Sequence, residues 1–132
     1  MSAETETLRA AMPFATELGI EVLAAAPDGV TARLTWQERL CTAGGILHGG
    51  ALMSLADACG AYCAFLNLPD GAAGTATIES KTNFFAAVRS GFVEARSRPL
   101  HRGRTTIVVE TDLFDENDRH VARVTQTQAI LT

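Results

Sequence analysis

Between Ile46 and Leu66 the sequence carries one formal charge, Asp57, in a run otherwise made of apolar, small or neutral residues. A carboxylate in such surroundings, with no Lys or Arg one helical turn away, is costly to ionise, and its pKa should be drawn upward. That suits a general base or a carboxylate nucleophile working near neutral pH. An Asp that merely hydrogen-bonds neighbouring backbone would carry the same signature, because structural pairs also perturb such groups. Upstream stands His48-Gly49-Gly50. If a helix begins there, its unpaired N–H groups and dipole favour an anion or a developing oxyanion, and the glycines let a substrate carbonyl approach the backbone.

The spacing of these two features sets a constraint. Asp57 is eight residues beyond Gly49, which is ~12 Å along one helix. A base or nucleophile and an oxyanion donor must both reach one carbonyl, each at ~3 Å. One chain cannot bring these two groups to the same carbon. Two antiparallel copies of the helix can, so the spacing predicts a dimer with two shared sites.

The elements that would hold these residues are legible in outline. Residues 3–12 read as a short helix stopped by Pro13. Residues 20–26 and 30–36 flank Pro27-Asp28-Gly29 and read as a hairpin. The run Ala51 to Leu66 is rich in Ala, Leu, Met and Cys, so it reads as a helix, and Asn67-Leu68-Pro69-Asp70-Gly71 ends it. Residues 75–85, 91–98, 104–114 and 119–131 read as strands. In the first of these Ile78 and Phe84 fall on one face and Glu79, Lys81 and Asn83 on the other. The short links between the strands favour antiparallel pairing. A helix that is apolar nearly all round is buried, and the best picture is one long helix wrapped by a curved antiparallel sheet, an α+β architecture. A membrane span fits poorly, since the run holds an Asp, a His and several Gly.

The chain has 132 residues, 47% hydrophobic and 20% charged, the size and composition of one folded domain over 1–132 with residues 1–12 as a helix or arm. No signal peptide is visible, and three cysteines do not make a disulfide framework, so a reducing cytoplasm is expected. A net charge of −4 argues against nucleic-acid binding. An anionic ligand must then be held by a local basic patch.

Leu47-His48-Gly49-Gly50 followed by Asp57, inside LHGGALMSLADACGAYCA, resembles the PaaI-like (phenylacetate-degradation type) acyl-CoA thioesterases. The likeness extends to Pro13-Phe14 through Leu18-Gly19-Ile20, to TATIESKTNFFAAVRSG and to His101-Arg102-Gly103-Arg104, and covers all but about the first ten residues. It implies the hotdog fold, a long helix wrapped by a five- or six-stranded antiparallel sheet, paired into homodimers and often tetramers. It implies hydrolysis of an acyl-CoA thioester to acid and free CoA, with no metal and no cofactor beyond the CoA of the substrate. Asp57 matches the catalytic acid, and Gly49 the backbone N–H that holds the thioester oxygen. His48 shapes that turn. Thr75 matches a hydroxyl contributed by the subunit that supplies Asp57. Where relatives often carry Asn or Gln near the thioester, this chain has Thr42, which reaches less far.

Five arginines, at positions 89, 96, 98, 102 and 104, fall within 16 positions of a net acidic chain. Guanidinium forks suit the phosphates of CoA, although most charge runs are solvated faces. Arg89, Arg102 and Arg104 are favoured because they flank turns, and Ser90 can add a hydroxyl. Cys59 and Cys63 read as buried core thiols, and Tyr62, Phe65 and Phe84 as core. His101 and His120 read as exposed. Two other functions stand beside the thioesterase reading. One is an acyl-thioester hydratase or dehydratase, whose second catalytic group is not evident here. The other is a non-catalytic acyl-CoA-binding module.

Overall fold

The computed structural model describes the whole chain. Two short helices, α1 (Ala3–Ala11) and α2 (Pro13–Leu18), open it. Ser2 caps α1 by accepting from the Thr5 N–H at 3.1 Å. Pro13 both stops α1 and starts α2, since a proline lacks the N–H that a helix interior needs but a first turn does not. The approach to the first strand is therefore helical. Gly19, at φ +71°, turns the chain out of α2.

Strands β1 (Glu21–Ala26) and β2 (Gly29–Thr35) form the expected hairpin. Two 3₁₀ turns, Glu38–Leu40 and Ala43–Gly45, lead to α3 (Gly49–Phe65). Strands β3 (Gly74–Phe84), β4 (Phe92–Arg102), β5 (Thr106–Asp115) and β6 (His120–Leu131) follow. All six strands join one antiparallel sheet in the order β1-β2-β4-β5-β6-β3. This is the hotdog fold, with α3 lying across the concave face. Leu52, Leu55, Ala56, Cys59 and Cys63 of α3 are buried against Val93, Ile107, Val109, Leu113 and Val124 of the sheet.

The helix is not wrapped on every side, contrary to the reading of its composition. Met53 is 39% and Phe65 58% exposed, and Gly49, Asp57 and Ala61 share their stripe at four-residue intervals. Beside that stripe runs β3, whose outer edge is unpaired over 11 residues. Ile78, Phe84 and Phe85 are exposed there. The expectation that Tyr62, Phe65 and Phe84 are core holds only in part, since Tyr62 alone is half-buried. The alternation read in β3 is also broken. A register shift between Thr77 and Glu79 makes Ile78 a bulge, so Thr75 and Thr77 share the helix-facing side with Ser80, Thr82 and Phe84.

One core feature is anomalous. Gln126 is fully buried, yet neither of its amide atoms has a hydrogen-bond partner. Its amide lies against α3 at Gly60, where an added Cβ would collide with Nε2. Only glycine permits that approach. Unmade hydrogen bonds in a core are destabilising, and Met has nearly the same shape as Gln. Gln126→Met is therefore expected to stabilise the fold by about 1 kcal/mol, read as a higher urea midpoint at fixed protein concentration.

Candidate active site

His48 is the N-cap of α3. Its Nδ1 accepts from the Gly50 N–H at 2.8 Å, so in the neutral imidazole the proton is on Nε2. The His48 carbonyl accepts from Ala51 and Leu52. The Gly49 N–H is left without a partner, a free donor at the positive end of a 17-residue helix. Thr42, Ile46, Leu52 and Phe84 line a cavity of about 400 Å³ around it. Thr42 and Gly49 thus share one pocket.

Asp57 lines a different cavity, also about 400 Å³, with Met12, Phe14, Leu18, Met53, Ser54 and Ser80. No Lys or Arg lines it. Asp57 is solvent-accessible on the isolated chain rather than enclosed. The apolar surroundings still raise its pKa above the usual carboxylate value by desolvation, and a side-chain hydrogen bond from Thr77 pulls in the opposite direction. Thr77, whose hydroxyl acts on the Asp57 pKa, stands two residues beyond Thr75 on the same face of β3. Thr75 instead lines a cavity of about 310 Å³ with Ala61, Tyr62 and Phe65, farther along α3. Met12 borders both that cavity and the Asp57 cavity.

The two halves of the expected chemistry therefore occupy separate pockets of one chain, with no lining residue in common. They lie on one uncovered stripe of one helix.

A family model described as the thioesterase superfamily matches residues 44–122, which include the whole of α3 and run to the start of β6. The chain belongs to the thioesterase superfamily. Within it the fold and motif are those of a PaaI-like hotdog thioesterase, and the reaction class is thioester hydrolysis. Among its relatives, the proofreading thioesterase EntH of Cronobacter turicensis is 33% identical over 102 residues, 77% of this chain and 74% of that one. Thioesterase HI1161 of Haemophilus influenzae has a solved structure that superposes at a TM-score of 0.90 and 26% identity, covering 100% of this chain and 92% of that one. Thioesterase PA1618 of Pseudomonas aeruginosa, solved as a point mutant, gives 0.89 and 28%, with 99% and 96% covered.

The remaining expected site residues of this thioesterase do not gather in one place. Arg89 and Ser90 lie before β4, bordering a polar cavity with Asp115, Glu116 and Arg119. Arg102 ends β4 and Arg104 follows it. β4 is 11 residues long, so at ~3.3 Å per residue the two groups stand roughly 35 Å apart on one chain. Arg96 pairs with Glu94 and Asp118, and Arg98 with Glu110. Arg89, Arg102 and Arg104 make no ion pair and are exposed.

Cys59 and Cys63 are buried, and desolvation pushes their thiols up to about 12 and about 11. His101 is exposed, but His120 is half-buried against Phe85 and Phe114, with Nε2 2.8 Å from Asp112. No helix is long and apolar enough to cross a membrane.

Proposed function

We propose that this thioesterase hydrolyses acyl-CoA thioesters carrying an apolar acyl group, aromatic or medium-chain, at two sites shared across a homodimer. The observation that carries this reading is the separation of Gly49 and Asp57 into two pockets along one uncovered helical stripe, next to an open strand edge. A second copy laid antiparallel on that stripe sets the Gly49 N–H of one chain against the carboxylate of the other. It also covers Met53 and Phe65 and pairs β3 with β3 of the partner. A dimer of such dimers would extend the same arrangement to a tetramer.

In this site the thioester carbonyl oxygen accepts from the Gly49 N–H, which strengthens its hold as negative charge develops. Asp57 then acts in one of two ways. As a nucleophile it attacks the carbonyl carbon, the C–S bond breaks, and water hydrolyses the resulting anhydride. As a general base it takes a proton from water, the hydroxide adds to the carbon, and the C–S bond breaks. In both, the thiolate leaves and is protonated to free CoA. His48 is occupied as a cap and supports the donor rather than moving a proton. The apolar walls beside Asp57, continued past Met12 along α3, suit an acyl group without charge.

Release of free thiol from a panel of aromatic and aliphatic acyl-CoAs tests the reaction. Hydrolysis is expected, ranked by acyl group. A folded chain that binds CoA and hydrolyses none of the panel would be a binding module instead. Arg89, Arg102 and Arg104 are proposed to meet the CoA phosphates, two groups serving one ligand only if different chains supply them. Arg89→Ala and the double variant Arg102→Ala/Arg104→Ala are each expected to raise KM several-fold with kcat nearly unchanged, the mark of binding lost equally from ground and transition states. An unchanged KM in both would remove these arginines from the site.

A further inference from the structure

We propose that Trp36 is a positioning residue whose indole N–H pins the glycine turn carrying Thr42, and so fixes one wall of the pocket around the Gly49 N–H. This deepens the reading of Gly49 as the oxyanion donor and rests on it.

The stretch between β2 and α3 folds back on itself. Cys41 and Leu47 form an isolated antiparallel bridge. The Thr42 N–H donates to the Ile46 carbonyl at 2.8 Å, and the His48 N–H to that of Leu40 at 2.9 Å. Leu47 is fixed from a third side, since its N–H donates to the Val88 carbonyl at 2.9 Å. Backbone bonds thus hold the base of this turn and the approach to Gly49. The tip has no such hold. Gly44 and Gly45 stand at φ +79° and +72°, in the left-handed region. A Cβ built at either would meet nothing within 4 Å, so conformation rather than crowding calls for glycine there. Two such residues have the most backbone freedom to lose on ordering, with no packing to offset it.

One side chain supplies the missing hold. The Trp36 Nε1–H donates to the Gly45 carbonyl at 3.0 Å, and no other side chain hydrogen-bonds to residues 42–46. An indole N–H only donates and a carbonyl only accepts, so the polarity of this bond is settled. The anchor is itself rigid. Trp36 follows the last residue of β2, its backbone N–H donates to the Gly91 carbonyl at 2.8 Å, and its half-buried ring packs on the core. The bond therefore ties the tip of the turn to the sheet. Thr42, at the start of the turn, lines the cavity around Gly49. A side chain this short cannot adjust its reach, so its place in the pocket is set by where the turn stands. Small misplacements of groups around a reacting carbonyl cost rate rather than affinity.

Trp36 is the only tryptophan of the chain, so its indole N–H gives a single resonance in ¹⁵N-labelled protein, absent in Trp36→Phe. The test combines that signal with kinetics. Trp36→Phe keeps a ring and removes the N–H. It is expected to lower kcat roughly five- to tenfold, the worth of one hydrogen bond, with KM for the thioester nearly unchanged. Thr42→Val should lose at least as much, and the double variant no more than Thr42→Val alone. On wild type, an acyl-CoA analogue with a methylene in place of the sulfur, which keeps the carbonyl and cannot be cleaved, should move the indole resonance. CoA alone should leave it in place. An unchanged kcat in Trp36→Phe overturns the proposal, even if the melting temperature falls. So does additivity with Thr42→Val, or an indole resonance that the ketone analogue does not move. If wild type hydrolyses no thioester while the analogue still moves the resonance, the pinned turn stands and the reading of Gly49 as oxyanion donor falls.

Discussion

Asp57→Asn is expected to lower kcat/KM for the preferred thioester by at least ~100-fold, the scale of losing a positioned acid–base group. The variant keeps the volume but can neither accept a proton nor attack a carbonyl. Its stability should move the other way. Desolvation raises the Asp57 pKa in the folded chain, so folding favours the protonated form. The stabilisation this gives is complete below the unfolded value near ~3.9 and is lost as pH rises through the folded value. At neutral pH the charge therefore works against the fold, and Asn removes it. A higher melting temperature together with lost activity is the expected pair of results. Activity retained in a folded Asp57→Asn protein would take catalysis away from this residue.

The second large effect is expected at Gly49. Proline is well accepted at the first position of a helix, and His48, at φ −60° and ψ 136°, already has the backbone that precedes a proline comfortably. Gly49→Pro thus removes one N–H and leaves the helix start in place. Losing one oxyanion donor costs on the order of 10²–10³ in kcat. A Cβ at this position would lie 3.1 Å from the Phe84 ring, so Gly49→Ala, which adds the Cβ and keeps the N–H, measures the steric share and should be much milder. Mixing Gly49→Pro with Asp57→Asn subunits then tests sharing. Random reassociation of equal amounts gives half heterodimers, each with one intact site of two, so about a quarter of wild-type activity should return. No recovery after exchange would mean that each chain completes its own site.

Much of this was open to sequence reading because the signals are local. Pro27-Asp28-Gly29 between two extended runs specifies a hairpin. Short links make β4, β5 and β6 antiparallel neighbours, although the short link from Phe84 to Phe92 joins β3 and β4, which do not pair, and the apolar run before Asn67 reads as a core helix. What sequence could not supply was phase and direction. Thr75 and Thr77 lie on the same face of one strand. Which of them acts on Asp57 depends on how far β3 is slid along α3, a tertiary distance that alternation does not encode. Arg89 to Arg104 look clustered because they are close in number, yet an extended strand drives its two ends far apart. The composition of α3 announced burial, but it could not separate the faces covered by the sheet from the stripe left bare. Gln128, 1% exposed, donates its Nε2 N–H to the Thr77 Oγ1 at 2.8 Å, and its only sequence signal is a long amide at a position whose alternation with Ala122 and Val124 points inward.

The two cysteines of α3 bear on how this enzyme lives with its own product. Thiolate is the form that exchanges with disulfides. A thiol displaced to about 12 is ionised in only about one molecule in 10⁵ at neutral pH. A thiol released by thioester hydrolysis, or its disulfide, thus meets no reactive sulfur on α3. The core thiols can sit beside a thiol-releasing reaction without becoming linked to what it releases, and the half-buried Cys41 is the one cysteine open to thiol-sensitive dyes.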